Sequence, residues 1–172
     1  MSAWSMLLSS VLIYGLGLCL VLTIIMLISG ALAPDMWVGD YPPDIREKYG
    51  PMSVRAARLR PWIASLFFLV VLAIPILGLF ALRAKLGSVT FLFAFAFGAA
   101  ALLVFNVFDL LVLDWLFFCT IQPRVMVLPG TEGMPGYRDY RFHFIGFLKG
   151  LGFCVAVGLV VAVVWIALQV LL

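Results

Sequence analysis

Charge is what this chain has least of. Of its 172 residues, 11% are Asp, Glu, Lys or Arg and 66% are hydrophobic, whereas a soluble domain carries about 25% charged residues. So few charges cannot hydrate the surface of a chain this long, and the solvent for most of it must be lipid. The same scarcity argues against a nucleic-acid partner. The 11 basic residues, set against 8 acidic ones, form no basic, aromatic-interleaved patch and sit in the connections between apolar runs.

Histidine occurs once, as His143. Cysteine occurs three times, as Cys19, Cys119 and Cys154, with no CxxC spacing. Metal sites built from these residues need clustered ligands, so no metal and no cofactor is expected. The scattered thiols read as small packing residues rather than as a disulfide. G-x-S-x-G, H-E-x-x-H and C-x-x-C-H are all missing. "PGTEG" at 129–133 lacks the G-K-[ST] ending of a phosphate-binding loop. No motif assigns an activity, and whether the protein is an enzyme stays open. The N-terminal stretch lacks the Lys/Arg-rich segment of a signal peptide, and its apolar run is too long for one; it reads as a retained membrane helix.

What is present is apolar sequence in lengths that matter. A helix needs about 20 residues to cross the hydrocarbon core, and lipid obliges each span to satisfy its own backbone. Four runs qualify, at about 6–33, 62–82, 89–118 and 144–172. The predicted fold is an all-α integral membrane protein. It is one membrane domain over 1–172, a four-transmembrane-helix bundle with a structured cytoplasmic collar formed by loops one (34–61) and three (120–143).

Sidedness follows from Lys and Arg, which accumulate in cytoplasmic connections. Loop one carries Arg46, Lys48, Arg55, Arg58 and Arg60, and loop three carries Arg124, Arg138 and Arg141. The short second loop has Arg83 and Lys85, and the two tails have neither residue type. Loops one and three are therefore placed in the cytoplasm, with both termini on the other side. Tryptophan prefers the interface, and its positions agree. Trp37, Trp62 and Trp115 mark the inner boundary; Trp4 and Trp165 mark the outer one.

Packing cues are small residues at helical spacing. The fourth span has Gly146, Gly150, Cys154, Gly158 and Ala162, each four residues after the last. The stripe suits a neighbouring helix of the same bundle or the seam of a homodimer. Gly15, Cys19 and Thr23 on the first span, and Ala94 and Gly98 on the third, make shorter stripes. Pro75 sits in mid-span on the second and is expected to kink it.

Polar chemistry concentrates at one end. "FNVFDLLVLDWLFF" at 105–118 sets Asn106, Asp109 and Asp114 into an apolar run, where a carboxylate is costly and marks a candidate site. At α-helical pitch the three spread over an arc of about 140°. They share one broad face, though the two carboxylates do not point the same way, which disfavours a shared-proton pair. Lys149, about one turn into the fourth span, is expected to face Asp109 or Asp114. "YRDYRFHF" at 137–144 adds Arg138, Arg141 and His143, and Glu132 lies in the turn-rich stretch before it. The acidic half of loop one is expected to meet the arginines of loop three, and Tyr137 and Tyr140 read as an aromatic belt.

Candidate catalytic groups are Asp109, Asp114, His143 and Glu132. Candidate binding groups are Asn106, Asp109, Asp114, Arg138, Arg141 and Lys149. Three functions suit this set. The leading one is a binding or scaffold protein whose collar docks anionic lipid or a partner protein. The second is a membrane-embedded enzyme acting on a lipid or isoprenoid at the inner leaflet. The third is an oligomeric transporter or channel using Asn106 and Asp109. A scaffold would show paired charges and no cavity; an enzyme needs a cavity beside the carboxylates.

Overall fold

The computed structural model describes residues 3–171, so the expected end of the fourth span at 172 lies outside the described residues. The four apolar runs form four long helices, each long and apolar enough to cross a membrane. They are α1 (Ala3–Leu32), α3 (Val54–Leu86), α4 (Phe91–Phe108, prolonged through Asp109–Ile121) and α5 (Tyr140–Leu171). A short α2 (Pro43–Tyr49) follows α1. The protein is an all-α, multi-pass four-helix bundle. No more than a third of the most apolar stretch of each span is buried inside it, so most of that apolar surface turns outward, as a lipid solvent requires.

Two spans start earlier than the apolar runs suggest, and both have a capping reason. Ser53 accepts a hydrogen bond from the Ala56 amide at 3.2 Å, so the basic stretch with Arg55, Arg58 and Arg60 is the first part of α3. Pro61 and Pro75 both lie within this helix without ending it. Its 33 residues rise about 50 Å, well beyond the roughly 30 Å of hydrocarbon, so an end must project. On α5, the Asp139 carboxylate accepts from the Phe142 amide at 2.9 Å. That draws Tyr140, Arg141 and His143 out of the expected loop and into the first turn.

The third span departs from α geometry. Over Asp109–Ile121 it winds as a π-helix, with hydrogen bonds reaching five residues back rather than four. The Gln122 amide donates to Phe117 at 2.8 Å, and the Thr120 hydroxyl donates to the Trp115 carbonyl at 2.7 Å. The segment ends on Gln122 at φ 51°, the one non-glycine residue with positive φ among those described.

α4 lies between α1 and α5, and α3 packs mainly on α1. The small residues are where backbones meet. A Cβ on Gly15 would press on Val104 of α4, one on Gly98 on Val161 of α5, and one on Gly158 on Ala99 of α4. The stripe of α5 thus faces α4, with Cys154, Gly158 and Ala162 buried there, while Gly146 has open space beside it. Trp165, expected near the outer boundary, packs inside the bundle at the end of the connection between α3 and α4. It is fully buried, lies edge-on to Phe80 at 5.1 Å and donates to the Val89 carbonyl at 3.3 Å.

The connections at the polar end pack on one another through Tyr41, Ile45, Phe118, Leu128 and Tyr137. Tyr137 is a core residue rather than part of a belt: its hydroxyl lies 2.9 Å from the Leu128 amide and 2.8 Å from the Thr131 hydroxyl. The expected pairing of loop-one acids with loop-three arginines does not form. Asp44 instead accepts from the Gly136 amide at 2.9 Å, and Asp35 accepts from the Ser53 amide and hydroxyl.

Candidate functional site: a polar cavity inside the bundle

Where α1, α3, α4 and α5 approach the packed loops, they border a half-open cavity of about 740 Å³. Its apolar wall includes Met26, Leu27, Phe67, Phe68, Phe105, Leu110, Leu113 and Phe147. Its polar wall includes Thr23 from α1, Asn106, Asp109 and Asp114 from α4, His143 and Lys149 from α5, and Asp40 and Arg46 from loop one.

The π-winding changes the relative rotation of the two carboxylates. At α pitch Asp109 and Asp114 diverge; with bonds from i to i+5, residues five apart lie nearly one above the other. Both line the same cavity, in keeping with their place on one broad face of the helix.

Asp114 carries the one ion pair found among the described residues. Its Oδ1 lies 2.9 Å from His143 Nδ1. A carboxylate at this distance accepts, so Nδ1 carries the hydrogen, and in a neutral ring Nε2 is then an acceptor. Phe118 stacks obliquely on the imidazole at 4.7 Å, which holds the ring in place. The link joining α4 to α5 therefore exists, but His143 makes it rather than Lys149. Lys149 lines the cavity with both carboxylates and pairs with neither within 4 Å.

Asn106 adds a second tie. Its amide donates to the Phe147 carbonyl at 3.2 Å, and its oxygen fills the space a Cβ on Gly150 would take. The Asp109 carboxyl forms no hydrogen bond or ion pair with the described residues. Two buried side-chain atoms also lack a partner, Thr23 Oγ1 and His143 Nε2, and both residues line this cavity. On the same helix as Thr23, Ser9 and Ser29 turn their hydroxyls back onto the carbonyls of Met6 and Met26.

Outside the spans, partial burial pushes the Asp40 carboxyl above its ordinary range, with Arg60 and Arg46 pulling it back in part. Burial raises the Tyr41 phenol well above its usual value and keeps it protonated, in keeping with its donation to the Met126 carbonyl at 3.0 Å.

Asn106, Asp109, Asp114, His143 and Lys149 thus converge on one space. Glu132, Arg138 and Arg141 lie outside it. The Glu132 carboxylate caps its own turn at the Gly130 amide, 3.1 Å away, Arg138 borders a small depression beside Gln122 and Met134, and Arg141 is exposed. Sequence reasoning missed Asp40 and Arg46 as site residues, because they sit among other loop charges. It took Thr23 for a packing residue, although a hydroxyl within an apolar span was the signal available. No group of three or more His, Cys, Asp or Glu suited to a metal ion occurs among the described residues.

Comparison with protein-family models, with curated proteins and with solved structures finds no match.

Proposed function

We propose that this protein binds a membrane amphiphile, taking its polar end into the cavity beside Asp109 and Asp114 on the cytoplasmic side of the bilayer. The observation that carries this reading is the cavity itself. Its volume lies in the range of small-molecule sites, and it combines apolar walls with a few converging polar groups, as such sites do. A docking scaffold would have filled its interior and paired its charges. Cytoplasmic placement rests on the Lys and Arg of the two packed loops. In this reading those loops form a collar around the cavity, and the exposed Arg55 and Arg58 on the first turns of α3 meet anionic headgroups.

The test is lipid analysis of the protein purified in mild detergent. Wild type should retain a lipid in stoichiometric amount. Gly146→Phe, which puts a ring where the helix has open space, should lose it while remaining folded. A wild-type protein that retains no lipid and cannot be labelled by a photoactivatable phospholipid would overturn the reading.

One observation favours a second reading, in which the bound amphiphile is a substrate. An imidazole oriented by a carboxylate, with its other nitrogen unoccupied, is a general-base arrangement. Conversion of the retained lipid by wild type, and none by His143→Ala, would establish it.

A further inference from the structure

The helices close the cavity on every side but one. Resting on the reading above, we propose that it opens sideways into the bilayer through a portal between α3 and α5. The ligand is then a lipid whose chains stay in the surrounding leaflet while its polar end passes between the two helices. Side-chain contacts hold the other seams. Gly15 of α1 lies against Val104 of α4, and Gly158 of α5 lies against Ala99 of α4. α3 meets the chain just past α1 where Leu59 and Ile63 pack with Ala33 and Met36. It meets α4 where Phe67 lies edge-on to Phe105 at 6.2 Å.

Between α3 and α5 the contacts stop short of the polar end. The two helices touch where Phe80 lies against Trp165 at 5.1 Å and, nearer the cavity, where Phe68 lies against Phe153 at 6.1 Å. Residues three and four apart share a helix face. One turn closer to the polar end, the facing positions are therefore Ala64 on α3 and Lys149 on α5, with Ile145 and Gly146 a turn beyond. All four line the cavity. Among the described residues no hydrogen bond, ion pair or ring contact joins the two helices there. Ile145, Gly146 and Lys149 are exposed, and a Cβ on Gly146 would meet nothing within 4 Å. Depth sets this gap in hydrocarbon. Trp62 is 78% exposed and marks the interface on α3. Phe68 lies about 9 Å deeper at helical rise, within the roughly 15 Å of hydrocarbon in one leaflet. Surface at that depth is solvated by lipid chains, and the lips of the portal, Phe68, Ile145 and Phe153, are apolar to match. The border of the cavity at Gly39, Asp40 and Arg46 of loop one carries charge, and an acyl chain has no favourable route across it.

The test blocks each border reversibly in the full chain. Gly146→Cys and Gly39→Cys each place a thiol where the structure leaves open space, and the native thiols are buried. A bulky methanethiosulfonate reagent can then be attached at one position and removed with reductant, so that each blocked protein serves as its own folding control. The protein is reconstituted in phosphatidylethanolamine–phosphatidylglycerol vesicles. It then receives, from donor vesicles, a phospholipid with a photoactivatable headgroup, and adducts on Asp109 and Asp114 are quantified by mass spectrometry. The block at Gly146 should slow adduct formation at least about tenfold, and reductant should restore it. The block at Gly39 should leave the rate within about twofold. Phe153→Ala, which removes the contact bounding the portal, should raise the rate severalfold. A rate that falls with the block at Gly39 and not with the block at Gly146 would overturn the portal and bring the ligand in from the loop end, leaving the amphiphile reading standing. Equal slowing by both blocks, or slowing by neither, would overturn it as well. Absence of cavity adducts in wild type would remove both readings together.

Discussion

At the scale of single residues, His143 and Asp114 are the pair on which the polar end depends. They join the first turn of α5 to the π-wound end of α4, so removing one partner strands the other in a poorly hydrated place. Asp114→Ala should lower stability by about 2 kcal/mol, the scale of a hydrogen bond to a charged group. Asp114→Asn keeps an acceptor for the Nδ1 hydrogen and should cost about half as much, because neutral hydrogen bonds are roughly half as strong. Equilibrium unfolding in mixed micelles would measure both, and equal losses would show that the carboxylate is not what His143 needs. Lys149 is a different case. It forms no ion pair and is exposed, so Lys149→Met should change stability by less than about 0.5 kcal/mol, as for an ordinary surface substitution.

At the scale of elements, the interface of α4 with α5 rests on glycines that differ in what they touch. A Cβ on Gly158 would meet the backbone nitrogen of Ala99 at 3.0 Å, and a helix backbone has nowhere to go. A Cβ on Gly150 would meet the Asn106 side chain, which can rotate away. Gly158→Ala should therefore cost more than Gly150→Ala, within the range of about 1–3 kcal/mol typical of overpacking. Asn106→Ala should offset part of the Gly150→Ala loss, so that the double variant is less destabilised than the two single losses predict. Additive losses would mean that the two residues do not meet. The spacing of this stripe is legible in the sequence because four-residue periodicity is a backbone property. The π-winding of Asp109–Ile121 is not. No proline or glycine interrupts "DLLVLDWLFFCTI", and composition alone separates it in no way from an α-helix. Assuming α pitch there puts both carboxylates on one broad face but misjudges the rotation between them. The start of α3 is legible in the sequence, from Ser53 ahead of the basic stretch that leads into the second span; that of α5 is readable only in principle, from Asp139 as a cap, because apolar runs locate membrane crossings rather than helix ends.

At the scale of the whole molecule, composition alone is enough to reveal four spans, since a surface so poor in charge has no soluble alternative. Convergence of Asn106, Asp109, Asp114, His143 and Lys149 was partly legible, because depth in the bilayer puts groups on different spans at one level. Which atoms meet was not, because that depends on helix rotation. Sidedness rests on Lys and Arg alone, and the buried thiols make it directly testable. Cys19, Cys119 and Cys154 are all buried, so the native chain should react little with a membrane-impermeant maleimide. Lys48 on α2 and Ser88 in the connection between α3 and α4 are both exposed, at opposite ends of the bundle. In intact cells Ser88→Cys should be labelled and Lys48→Cys should not. After permeabilisation both should react. The reverse pattern would put the cavity on the outer side, where the positive-inside bias of loops one and three would have been overruled, and the ligand would then enter from the outer leaflet.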